Sequence, residues 1–152
     1  MNSGSSLKEV EPIFRAVLES GGVFTLQPRG SSMLPTIVPG RDSVSIVQPT
    51  EEILLHDILL YQRKDGSFVL HRVARIERDG SFTMCGDNQS VLERGILSQD
   101  VVGVVTAIHR PSGDLTRGSE AFLAPARRRA RSRPLRYLRY CAGCWRKKLF
   151  GK

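Results

Sequence analysis

"DILLYQRKDGSFVLHRVARIERDGSFTMCGDN", residues 57–88, reads as three extended runs separated by two Asp-Gly-Ser turns. The runs, at 57–63, 67–77 and 81–86, are rich in β-branched and aromatic residues, and each turn has the composition that closes a hairpin. In the middle run, alternation places Phe68, Leu70, Arg72 and Ala74 on one face and Val69, His71, Val73 and Arg75 on the other. Two hairpins in succession predict an antiparallel β body.

The same pattern extends outward. "VFTLQP" (23–28), "SVSIVQP" (43–49) and "VVGVVTAIHR" (101–110) are further strand-like runs, and "VPGRD" (38–42) and "GDNQS" (86–90) are turn signals. Neither a repeat of 20 to 50 residues nor a glycine-rich phosphate loop is present. Before this body, "SLKEVEPIFRAVLESGG" (6–22) spaces Leu7, Val10, Ile13, Phe14, Val17 and Leu18 as one face of a helix. Ser6 and Glu9 are placed as a capping box, and Pro12 belongs in the first turns.

After "RPSGD" (110–114) the composition changes abruptly. Residues 1–120 carry 12 Lys/Arg and 15 Asp/Glu, a balance of −3, whereas residues 121–152 carry 11 Lys/Arg and no acid, a balance of +11. The net charge of +8 therefore belongs to the tail. From Pro134, Leu135, Leu138, Ala142, Trp145 and Leu149 recur at three and four among arginines and lysines, which predicts an amphipathic basic helix. The expected organisation is an N-terminal helix (1–22), a β domain (23–112) and a basic linker and helix (113–152).

No apolar run approaches the roughly 20 residues needed to span a bilayer. The N-terminus lacks a basic start followed by an apolar stretch, so a cytoplasmic address is expected. Three cysteines are too few for a disulfide scaffold. Cys141 and Cys144 have Cys-x-x-Cys spacing, but zinc takes four ligands and the tail has no histidine and no second pair; no metal or cofactor is expected.

Chemistry is concentrated in "GSSMLPTIVPG" (30–40), "DILLYQRKDGSFVLHRV" (57–73) and "GDNQSVLERG" (86–95). A serine becomes a nucleophile only beside a base and with donors for the oxyanion, so the three patches count together. In this order and spacing they resemble the signal peptidase I and LexA-like serine protease superfamily over about residues 28–108. There, a Ser-Met-x-Pro box is followed by an Asp-Ile strand, a strand carrying the base, and a Gly-Asp-Asn turn.

The resemblance implies an antiparallel β fold of that type, with Ser32 as nucleophile. Where bacterial members have a lysine base, this chain has His71 in "LHRV", the histidine of archaeal and endoplasmic-reticulum-type signal peptidases. An acidic residue six places after the Gly-Asp-Asn aspartate orients that histidine in the family, and here the position is Glu93, with Asp87 as the second choice. A free imidazole ionises near 6.5, which points to activity near neutral or mildly alkaline pH.

The Ser32 backbone N–H is expected to serve the oxyanion. The family's hydroxyl residue two positions earlier is Gly30 here, leaving Ser31 or the backbone to suffice, while Met33 and Pro35 shape the nucleophile loop. The family's Gly-Asp before the middle strand reads His56-Asp57. His56 and His109 are taken as structural or solvated, and Cys85 as a small core residue.

The expected activity is cleavage of a leader or signal-type peptide from a precursor protein, bound as an added strand with small residues before the scissile bond. A LexA-like self-cleaving regulator is the enzymatic alternative, and a non-catalytic module tethered by its tail the other. For the tail, an anionic membrane surface is favoured over nucleic acid, because Tyr137, Tyr140, Trp145 and Phe150 stand beside the charges. Docking on the body is the third reading.

Overall fold

The structure is a computed structural model that describes residues 7–128 and 138. Ser6 of the capping box and the basic helix expected from Pro134, with Cys141 and Cys144, lie outside the described residues. Helix α1 (Glu11–Glu19) leads into β1 (Phe24–Leu26), β2 (Ser43–Val47), β3 (Ile58–Gln62) and β4 (Phe68–Ile76). β5 (Phe82–Cys85), β6 (Glu93–Ile96), β7 (Val101–His109) and β8 (Leu115–Thr116) follow, and residues 120–128 form a second helix, α2.

Both Asp-Gly-Ser turns join antiparallel neighbours, β3 to β4 and β4 to β5. Each is held by the same local device. Asp65 accepts the Ser67 N–H and hydroxyl at 2.8 and 2.6 Å, and Asp79 accepts those of Ser81 at 3.0 and 2.7 Å. All eight strands form one sheet in the order β1-β2-β7-β3-β4-β5-β6, with β8 added to β7, so the described chain is mainly antiparallel β.

The sheet buries apolar side chains on both faces. One cluster gathers Phe14 and Leu18 of α1 with Val44, Ile46, Ile58, Leu60, Val105 and Ile108; Phe68 and Leu70 pack against it. The other holds Leu59, Tyr61, Val73, Met84 and Val104, with Val69 packed alongside. The alternation expected for β4 is therefore realised, with its two apolar sets in opposite clusters.

Three boundaries differ from the sequence expectation. Residues 7–9 are helical, but α1 begins only at Glu11, after Val10. Pro12 has no N–H to offer and its ring would meet the carbonyl of Lys8, so one continuous helix cannot run through it. β6, "ERGI", carries two charges and a glycine and gave no strand signal. The body also continues beyond residue 112. β8 pairs with β7 at Ala107↔Thr116 and Ile108↔Leu115, and Phe122 of α2 is fully buried in the first cluster.

Candidate active site

His71 comes from the middle of β4, opposite Leu59 of β3. Residues two apart share a face, so Tyr61 lies diagonally across from His71 on the same side of the sheet. Val73 pairs with Met84, and Met84 with Glu93, so the same face continues over two more strands to Glu93. Three side chains from three strands thus converge.

The Tyr61 hydroxyl lies 3.2 Å from His71 Nδ1 and 2.7 Å from Glu93 Oε2, to which it donates. A phenol has one hydrogen; with it given to Glu93, the oxygen accepts Nδ1–H, and Nε2 is left as the basic nitrogen of the imidazole. Arg63, just past β3, forks onto Glu93 with two bonds of 2.7 Å. That fork holds the Glu93 carboxyl below its ordinary ionisation, ahead of a smaller contribution from Tyr61. Burial first, and then the bond to Glu93, push the Tyr61 phenol far above its usual range, so it stays protonated.

Burial lowers the ionisation of His71 to about 4, with Arg63 adding to the effect and Glu93 and Asp87 opposing it. This corrects the expectation of an ordinary imidazole. His71 is neutral at pH 7 because desolvation disfavours its cation.

Ser32 lies in the loop between β1 and β2, and this loop is fastened at several points. Its carbonyl accepts the Asn88 N–H at 2.7 Å. Thr36 donates its hydroxyl to Asp87, and its carbonyl accepts from Arg110. Asp87 in turn receives Arg72 Nε and NH2 at 3.0 and 2.9 Å, and both side chains are 4% exposed. Met33 and Ile37 sink into the first cluster, while Ser31 and Gly30 are exposed. The "GDN" turn therefore acts as the clamp of the Ser32 loop, and Asp87 is committed to Arg72 and Thr36.

Ser32 and His71 line one cavity of about 260 Å³, along with Gly30 and Met33. Leu7, Leu26, Leu60, Phe68 and Leu70 supply much of its apolar wall. β5 pairs with β4 only from Arg72 onward, so the Phe68–His71 edge of β4 faces this cavity side without a strand from β5.

Tyr61, Arg63, Thr36 and Arg72 were not singled out from the sequence. Counting back through the Asp-Gly-Ser turn would have put Tyr61 diagonal to His71. The Glu93 partnership depends on β6, which no sequence pattern announced.

Elsewhere, a hydrogen-bonded Ser-His-Asp chain starts on the sheet. Ser45 Oγ is 2.7 Å from His109 Nε2, and His109 Nδ1 is 2.8 Å from Asp114 Oδ2. Ser45 sits within β2, flanked by Thr25 of β1 and Ala107 of β7, so its amide belongs to the ladder and is lost as an oxyanion donor. His109 and Asp114 are 38% and 56% exposed, where solvent screens the pair.

Cys85 is buried, its thiol 3.4 to 3.6 Å from the carbonyls of Gly86, Val91 and Gln89. Among the described residues, no three His, Cys, Asp or Glu side chains lie together as a metal site, and no helix is long and apolar enough to cross a membrane. No protein-family model, curated protein or solved structure matches this chain.

Proposed function

We propose that the chain is a serine endopeptidase in which Ser32 is the nucleophile and His71 the general base and acid. The observation that carries this reading is that Ser32 and His71, 39 residues apart in the sequence, line one cavity. The imidazole is neutral and its Nδ1 is already engaged, which leaves Nε2 to take a proton. The resemblance to signal peptidases and LexA-like proteases supports the same two residues.

In acylation the Ser32 hydroxyl proton passes to His71 Nε2 as Oγ bonds to the peptide carbonyl carbon. The C–N bond then breaks, and His71 returns the proton to the leaving amine. Water next attacks the acyl-enzyme, giving its proton to His71, and Ser32 leaves with that proton. The backbone N–H of Ser32 is the proposed oxyanion donor.

The substrate is a precursor or leader-type peptide added along the Phe68–His71 edge of β4. The apolar wall of the cavity suits a small aliphatic side chain before the scissile bond. The basic tail brings the chain to anionic lipid; equal flotation of the full chain and a chain ending at residue 128 with anionic vesicles would remove that part.

The decisive experiment compares wild type, Ser32→Ala and His71→Ala for cleavage of a peptide library and labelling by a fluorophosphonate. Wild type should cut and label, with both variants reduced by at least about 10³-fold, as when one member of a coupled triad is lost. Undiminished cleavage in both variants sinks the proposal. First-order shortening of the wild-type chain alone would shift it to self-cleavage.

A further inference from the structure

We propose that Tyr61 is the positioning residue of this site, its hydroxyl standing between His71 and Glu93 so that the carboxylate acts on the imidazole through a phenol. The proposal rests on the endopeptidase reading for its catalytic meaning, though the hydrogen-bonded chain stands on geometry alone.

The chain is built from short, consecutive contacts. His71 Nδ1 is 3.2 Å from the Tyr61 oxygen, and that oxygen is 2.7 Å from Glu93 Oε2. Tyr61 is fully buried among Val73, Phe82, Met84 and Ile96, so its ring is held and its hydroxyl has a fixed place. Glu93 is fixed at its far end by the Arg63 fork.

Each link has a defined direction. Arg63 donates to Glu93, which accepts from Tyr61, which accepts from Nδ1–H. The chain therefore fixes the Nδ1–H tautomer and leaves the Nε2 lone pair for the serine proton. When that proton arrives, the ring becomes a cation in a desolvated place. The Tyr61 oxygen and, behind it, the Glu93 charge then stabilise the cation. The charged groups that act on His71 are Glu93 on β6, Arg63 after β3, and Asp87 in the turn after β5, itself paired with Arg72.

Tyr61→Phe keeps the ring and removes only the hydroxyl, and Glu93→Gln keeps the shape and removes the charge. The test records the ¹⁵N and ¹³C resonances of the His71 ring against pH in the full chain, for wild type, each variant and the double variant. The wild-type ring should be the Nδ1–H tautomer. Tyr61→Phe should lose that preference and lower the His71 midpoint further; the double variant should match Tyr61→Phe in tautomer, because both substitutions cut one chain, while its midpoint falls lower still because the Glu93 charge also acts on the ring through space.

In parallel, peptide cleavage should lose on the order of 10²-fold in kcat in Tyr61→Phe, the size of one preorganised hydrogen bond, with KM little changed. An unaltered His71 tautomer and midpoint in Tyr61→Phe overturns the relay whether or not the chain cleaves peptides. An altered titration with an unaltered kcat, in a wild type that cleaves through Ser32, overturns the positioning role. Should wild type fail to cleave, the endopeptidase reading falls while the titration still judges the chain of hydrogen bonds.

Discussion

Gly86 shows how narrowly the Ser32 loop is placed. A Cβ at this residue would stand 2.6 Å from the Ser32 carbonyl oxygen, so only glycine lets the "GDN" turn approach closely enough for Asn88 N–H to bond that oxygen. Gly86→Ala should push the loop outward, cutting cleavage by at least about tenfold, since an ångström of misplacement has effects of that order or greater; stability should change less than activity, as urea midpoints would show. His71 makes a prediction of opposite kind, on stability and not geometry. Its ionisation near 4 in the folded chain, against 6.5 ordinarily, means that the unfolded chain binds this proton first as pH falls. Stability should therefore decline from about pH 6.5 toward 4 by roughly 3 kcal/mol and then stop declining on this account. Urea midpoints of wild type and His71→Gln between pH 7 and 4.5 check the sign: a slope equally steep in His71→Gln removes the assignment. The acid limb of wild-type kcat/KM should likewise lie below 6.5. His56 has φ +78°, in the left-handed region that favours glycine. Relief of that strain predicts that His56→Gly raises stability, by about 1 kcal/mol, measured by the same unfolding curves.

Among the elements, β7 carries the most connections, pairing with β2, β3 and β8. At its Gly103, β2 stands close: a Cβ there would strike the Ile46 side chain and stand 2.9 Å from the Val47 carbonyl. Gly103→Ala should destabilise the chain by about 1 to 3 kcal/mol through overpacking, seen as a lower midpoint in chemical unfolding. An unchanged midpoint would mean that β2 can slide without loss. The hairpins around β4 were legible because Asp-Gly-Ser supplies its own turn chemistry and the runs alternate with a period of two. β6 was not legible. Its Glu93 faces a site, held by Arg63 and Tyr61, while Arg94 and Gly95 are exposed, and a residue selected for such a contact breaks the strand pattern. The start of α1 was blurred for a different reason, because apolar spacing continued through Val10 and Pro12 where the backbone could not.

At the scale of the whole molecule, the body is closed by a segment whose composition resembles a linker. Arg117, just after β8, forks onto Asp57 at the head of β3 with bonds of 2.9 and 2.7 Å. Phe122 fills the first cluster and lies under the Arg72 guanidinium, 5.2 Å from its ring centre. Phe122→Ala should therefore cost about 3 to 5 kcal/mol, and a chain ending at residue 112 should lose more. Thermal and urea unfolding would measure both, and a wild-type midpoint in Phe122→Ala would show that the segment only rests on the surface. The basic run beginning at residue 127 hid this role, because a charge run and a buried phenylalanine five residues earlier point in opposite directions. By itself, the sequence determined what is local: alternation, turn chemistry, the helix face of α1, and the serine and histidine patches in their order. Tertiary structure decided what depends on register and burial. It tied Asp87 to Arg72 and Thr36, linked Glu93 to His71 through Tyr61, and desolvated the imidazole. Partners so far apart in the chain meet only when strands pair, and a pKa follows from the surroundings that pairing creates.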